Sequence, residues 1–100
     1  MIKHVILWQL KDELTEEEKT QVKKQVKLGL EGLKGVVPGL TDVTVYINPL
    51  ESSNADILLD STVEDLNALK AYAVHPEHVK VKDNIIVPNV KSRVCMDYEV

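Results

Sequence analysis

The chain has 100 residues, 44% of them apolar and 28% charged, with a net charge of −4. That length suits one domain spanning 1–100, and the balance is globular, because disordered chains are rich in charge and poor in apolar residues. The acidic balance, the lack of a basic stripe and an aromatic content of only 4% exclude nucleic acid as a partner, since phosphate binding needs clustered cations and single strands need stacking rings.

The first ten residues place Ile2, His4, Ile6, Trp8 and Leu10 on one face of a strand and Lys3, Val5, Leu7 and Gln9 on the other. Both faces are apolar in the middle, as expected of a strand covered on two sides. Thr15 and Glu18 then form a capping-box pattern at a helix start. Val22, Val26, Leu30, Leu33 and Val37 follow in one stripe, with Lys19, Lys23, Lys27 and Glu31 on a solvated face. Gly35 and Pro38-Gly39 end this segment, one by tolerating left-handed backbone and the other by resisting helix continuation.

Leu40 to Ile47 alternates as a second strand, with Val43, Val45 and Ile47 on one side and Thr44 and Tyr46 on the other. A polar connection, Asn48 to Asn54, leads to a third strand over Ala55 to Val63. Ser61 or Thr62 is expected to cap a second helix that turns Leu66, Leu69 and Ala73 inward. Pro76 forces His75 out of helical geometry while suiting the first position of a short third helix. The segment from Asp83 to Val90 has no decided structure, and Lys91 to Val100 alternates as a fourth strand. Cys95 within it is expected to fill core or interface space, and Lys91 and Arg93 to lie on the surface.

This order, βαββαβ with right-handed crossovers, predicts an α+β, ferredoxin-like domain: a four-stranded antiparallel sheet with its helices on one face. The other face is left bare with an apolar centre, and a second copy packed against it, a homodimer, is the economical cover. The longest apolar runs are far below the roughly 20 residues of a membrane helix, so no membrane is expected. A lone cysteine and no apolar leader fit the cytoplasm.

The residues Ile2-Lys3-His4-Val5-Ile6-Leu7, the stretch Asp56 to Thr62, the segment Tyr72-Ala73-Val74-His75-Pro76-Glu77-His78-Val79 and the ending Ser92 to Tyr98 resemble the stress-responsive A/B barrel, or Dabb, family over essentially the whole chain. The resemblance implies a dimeric α/β barrel with a pocket between sheet and helices in each subunit. It does not imply one activity, because the family includes plant stress-stable proteins and polyketide cyclases of the olivetolic-acid type. In those cyclases a tyrosine and the second histidine of His-Pro-x-His act as acid and base. The matching positions are Tyr72 and His78, with His4 matching another pocket histidine. Ile57 stands where the cyclase pocket has a further histidine, and the first long helix here lacks the cyclase's tyrosine.

Tyr72 and His78 are accordingly the candidate catalytic pair, and His4, Trp8, Ile57 and His75 the candidate pocket residues. A histidine near its ordinary pKa exchanges protons at neutral pH, and a tyrosine can polarise a carbonyl. The alternative is structural: Tyr72 packs under the sheet, His78 bonds a neighbouring segment, His75 accepts a bond from a free backbone N–H at the bend, and Trp8 is core. His75 and His78 with His4 are weak metal candidates, since Pro76 breaks the helical register; no metal and no cofactor are expected. A small-molecule ligand is expected, with acid-base chemistry on a carbonyl compound, against a non-catalytic stress or assembly role. Haem-degrading or quinol-forming monooxygenase chemistry is a third reading. A pocket of roughly 300 Å³ or more reached by Tyr72 and His78 is the observation that favours binding.

Overall fold

The computed structural model describes residues 1–100. Strand β1 (Ile2–Leu10) is followed by helix α1 (Glu16–Glu31), strands β2 (Leu40–Tyr46) and β3 (Ile57–Val63), helices α2 (Leu66–Val74) and α3 (Pro76–Val81), and strand β4 (Val90–Glu99). The strands form one antiparallel sheet in the order β2-β3-β1-β4, with the helices on one side. This is the ferredoxin-like fold expected from the sequence.

The helix-side face is the core. Ile2, Ile6, Trp8 and Leu10 of β1 pack against Val43 and Val45 of β2, Ile57 and Leu59 of β3, and the predicted stripe Val22, Val26, Leu30, Leu33 and Val37, all of it buried. The Thr15–Glu18 capping box is formed in both directions. Helix α1 itself stops at Glu31, and tighter i,i+3 bonds such as Leu33 N–H to Leu30 O carry the stripe through a turn to Val37.

Three local expectations are corrected. Ser61 and Thr62 do not cap α2, because β3 is paired on both sides and the ladder holds it as strand through Val63. Buried Ser61 donates instead to His4 O at 2.8 Å, and Asp65 is the cap, accepting from Ala68 N–H at 2.8 Å. On α2 it is Tyr72 and Leu69 that pack inward, while Leu66 and Ala73 are exposed. The Lys27–Glu31 side of α1 is not simply solvated. Glu31 Oε2 accepts from Val45 N–H at 2.9 Å and Lys27 Nζ donates to Val45 O at 2.6 Å, so an ion pair satisfies backbone groups on the outer edge of β2.

The opposite face carries no helix. Register places Val5 beside Met96 and Leu7 beside Val94 and Leu58, and Leu7, Tyr46, Val94, Met96 and Tyr98 are all exposed there. The helices also stop short of β4 on their own side, leaving Arg93, Cys95 and Asp97 exposed in register with Trp8, Ile6 and His4. Cys95 is therefore not core filler within the chain. The undecided stretch before β4 is a π-turn over Lys82–Ile86 followed by a 3₁₀ turn over Val87–Asn89. No helix is long and apolar enough to cross a membrane.

Candidate functional site

Between the sheet and the α2–α3 bend lies a cavity of about 160 Å³. Its sheet side is His4, Ile6 and Trp8 of β1 with Arg93 of β4, and its helix side is Leu69, Tyr72 and Ala73 of α2 with His78 of α3. Lys82 and Ile86 of the π-turn close one side. π-turns interrupt regular helix and recur at functional sites. A cavity of about 150 Å³ takes up benzene, so the space suits a small organic molecule. It falls short of the roughly 300 Å³ expected of a pocket at Tyr72 and His78 that favours binding, because packed core and the turn after α3 fill part of the space.

The bend creates the central pair. His75 ends α2 and begins α3, its Nδ1 accepting from Glu77 N–H at 3.1 Å while Pro76 occupies the first helical position. The turn brings His78 back over Tyr72, with ring centroids 4.5 Å apart at 41°. His78 Nδ1 lies 3.3 Å from Ala73 O. A carbonyl only accepts, so the neutral ring carries its proton on Nδ1 and leaves Nε2 with a free lone pair. Burial holds the His78 imidazole below its ordinary value, the Ala73 carbonyl opposes this, and the charges of Lys82, His4 and Arg93 add to it. The ring is therefore neutral at neutral pH, the form a base needs.

Burial alone pushes the Tyr72 phenol up to about 12, which keeps it a proton donor. Its hydroxyl has no hydrogen-bond partner, and neither does Trp8 Nε1–H. These side chains are 1% and 3% exposed. Buried polar groups normally have partners, and leaving one unpaired costs about 1–3 kcal/mol. Two such groups in residues that line one cavity are the feature that most needs an explanation.

His4 Nδ1 stands 2.5 Å from Asp97 Oδ1, and its ring meets Tyr72 edge-on at 6.0 Å and 85°. Cys95 Sγ is 3.8 Å from the same nitrogen and 3.6 Å from the carboxylate. This trio, rather than His75 with His78, is the cluster able to hold a cation, its ligand atoms lying within 4.8 Å of one another. Its closest contact is a hydrogen bond, which a metal would have to open. Burial and Asp97 raise the Cys95 thiol, so it is not an activated nucleophile.

Of the sequence candidates, His4, Trp8, Tyr72 and His78 share this cavity and two do not. Ile57 is sealed in the core, paired with Trp8 across β1–β3, and His75 is the helix cap just described. Lys82, Arg93 and Asp97 were not foreseen as site residues. Antiparallel register with β1, which sets Trp8 opposite Arg93 and His4 opposite Asp97, is the signal that finds the last two. A larger groove of about 360 Å³ lies beside the bare face, along Leu7, Tyr46, the connection from Asn48 to Asp56 and the start of β3 at Ile57 and Leu58, with no histidine in it.

A ferredoxin-like sheet whose pocket lies under a Tyr-x-x-His-Pro-x-His bend defines the class of protein. Residues 2–100 match the Stress responsive A/B Barrel Domain, and the chain belongs to that family. No curated protein sequence matches it. A structure from Bacteroides fragilis, described as a dimeric protein of unknown function with a ferredoxin-like fold, is 33% identical over 99% of this chain and 95% of that one, with a TM-score of 0.93. A Dabb family protein from Mesorhizobium loti, also ferredoxin-like, is 20% identical over 99% and 95%, with a TM-score of 0.76. A hydroxynitrile lyase from Passiflora edulis is 12% identical over 99% and 92%, with a TM-score of 0.74. The last two likenesses concern the fold alone.

Proposed function

We propose that the chain works as a homodimer with one small-molecule pocket in each subunit, where His78 and Tyr72 act as base and acid on a carbonyl compound. The observation that carries this reading is a pair of buried, unpartnered polar atoms, Trp8 Nε1 and Tyr72 Oη, in two of the residues that line the His78 cavity. A carbonyl oxygen has two lone pairs, the acceptor capacity that these two donors lack. His78 Nε2 then takes a proton from the carbon beside the carbonyl, and the negative charge arriving on oxygen is held by the phenol and the indole N–H. His4, fixed by Asp97, buttresses the Tyr72 ring.

The exposed apolar face supports the dimer, as does the description of the Bacteroides fragilis protein as dimeric. A single free thiol fits a reducing, cytoplasmic setting. A stress or assembly role without catalysis is the second reading, favoured by the His78 Nδ1 contact to Ala73 O, which fastens the bend on its own.

A thermal-shift screen of small carbonyl and aromatic metabolites separates the two, run on the wild type, His78→Ala and Tyr72→Phe. Stabilisation of the wild type that both variants lose supports the pocket; no stabilisation by any compound removes it. Light scattering giving a monomeric mass at micromolar concentration sinks the homodimer.

A further inference from the structure

The pocket wall is electrically one-sided. Two of its residues, Lys82 and Arg93, are cationic, and none is acidic. Both are exposed, whereas Trp8 and Tyr72 are buried, so the cations stand at the mouth and the unpartnered donors at the base. Neither cation has a carboxylate within the 4.0 Å of an ion pair. The nearby Asp97 does not line the cavity and is engaged by His4 Nδ1 and the Cys95 thiol. The space between mouth and base is about 160 Å³.

Resting on the reading of the site as a carbonyl pocket, we infer that its ligand is a short oxo acid. The keto oxygen sits between Trp8 Nε1–H and Tyr72 O–H, and the carboxylate faces Arg93 and Lys82 at the mouth. Each end of such a molecule meets what that end of the cavity lacks. The buried donors gain an acceptor, and the two cations gain an anion in a partly desolvated mouth, where charge-assisted bonds are stronger than on open surface. A neutral ketone satisfies only the base, and a plain carboxylic acid only the mouth. A long acyl chain exceeds the volume.

Three probes of similar size divide the claim: pyruvate, butanone and isobutyrate, titrated into the full-length protein with ligand-observed NMR. Pyruvate is expected to bind at least about tenfold more tightly than either of the others, a difference of about 1.4 kcal/mol. Replacing Arg93→Gln and Lys82→Gln together should remove about that tenfold for pyruvate and leave butanone unchanged. Added salt should weaken pyruvate and not butanone. If butanone binds as well as pyruvate, or the double variant keeps its preference, the oxo-acid assignment falls while the carbonyl pocket stands. If isobutyrate equals pyruvate, the keto end of the assignment falls. If none of the three binds to protein shown to be folded, the assignment falls together with the pocket reading beneath it.

Discussion

His4 and Asp97 face each other across the β1–β4 pair with Nδ1 and Oδ1 only 2.5 Å apart. A hydrogen bond from an imidazole N–H to a carboxylate is charge-assisted and shifts its proton downfield. One such resonance is expected in the wild-type NMR spectrum and should vanish in both Asp97→Ala and His4→Gln. Asp97 is 40% exposed on its side chain, so solvent screening limits the stability loss in Asp97→Ala to about 1 kcal/mol. Survival of the resonance in Asp97→Ala contradicts the pairing.

Tyr72→Phe is expected to raise stability. The substitution removes a buried hydroxyl that has no partner and keeps the ring, so a gain of about 1 kcal/mol is expected in chemical denaturation. Ligand stabilisation should be lost in the same variant. A site held at a cost in stability shows this opposition between folding and function, whereas a purely structural tyrosine that depends on its hydroxyl shows the reverse.

Two groups of the cavity contribute to the pH profile of stability. The folded pKa of Tyr72 lies above the unfolded value, so its contribution is complete below pH 10 and disappears as pH rises toward about 12. The loss is roughly 2–3 kcal/mol, and the late phenolate absorbance step should be missing from Tyr72→Phe. His78 is shifted down, so its neutral form suits the fold. Its contribution is complete above the ordinary histidine value of 6.5 and falls as pH drops below it. His78→Gln should therefore lose less stability than the wild type between neutral pH and about pH 5.5. Equal slopes would show that the ring is not buried as described.

Gly39 and Gly35 offer a matched test of backbone and space. Both have left-handed φ, at +83° and +85°, but a Cβ on Gly39 would lie 2.6 Å from Ala68 Cβ while one on Gly35 meets nothing within 4 Å. Gly35→Ala should cost about 1 kcal/mol, the backbone strain alone. Gly39→Ala adds a clash with α2 and should cost about 1–3 kcal/mol more. Denaturation midpoints of the two variants check the difference.

Glu31→Ala strips Val45 N–H of its acceptor and leaves Lys27 unpaired. Burial works to raise the Glu31 carboxyl, but Lys27 and the Val45 N–H together hold it below its ordinary value. Its contribution is thus present above that value and is lost as pH falls through the lower, folded one. A cost of about 1–2 kcal/mol at neutral pH, shrinking in acid, is expected. A cost that does not change with pH would speak against the ion pair.

The fold was legible because it is written in periodicity. The Val22–Val37 stripe, the alternation of β2 and β3 and the Pro76 bend each follow from local spacing, and each is where the sequence places it. The site was legible only in part. Tyr72 and His78 belong to one short segment, so their pairing is local. Arg93 and Asp97 enter through strand register, which no local spacing reveals, and Lys82 enters through a π-turn with no sequence signal of its own. Ile57 lies outside the His78 cavity because packed core covers it beside Trp8. His75 failed because capping consumes its ring nitrogen.

The Pro76 bend has one more consequence. Tyr72 and His78 are held against each other by seven consecutive residues, two helix ends and one cap. The remaining walls come from distant parts of the chain. Substitutions at Ile6, Leu69 or Ile86 can therefore reshape the cavity without moving the Tyr72–His78 pair. On the proposed reading, proton handling is held locally and ligand choice is spread over the fold, so the cavity can change what it accepts while the Tyr72–His78 pairing stays.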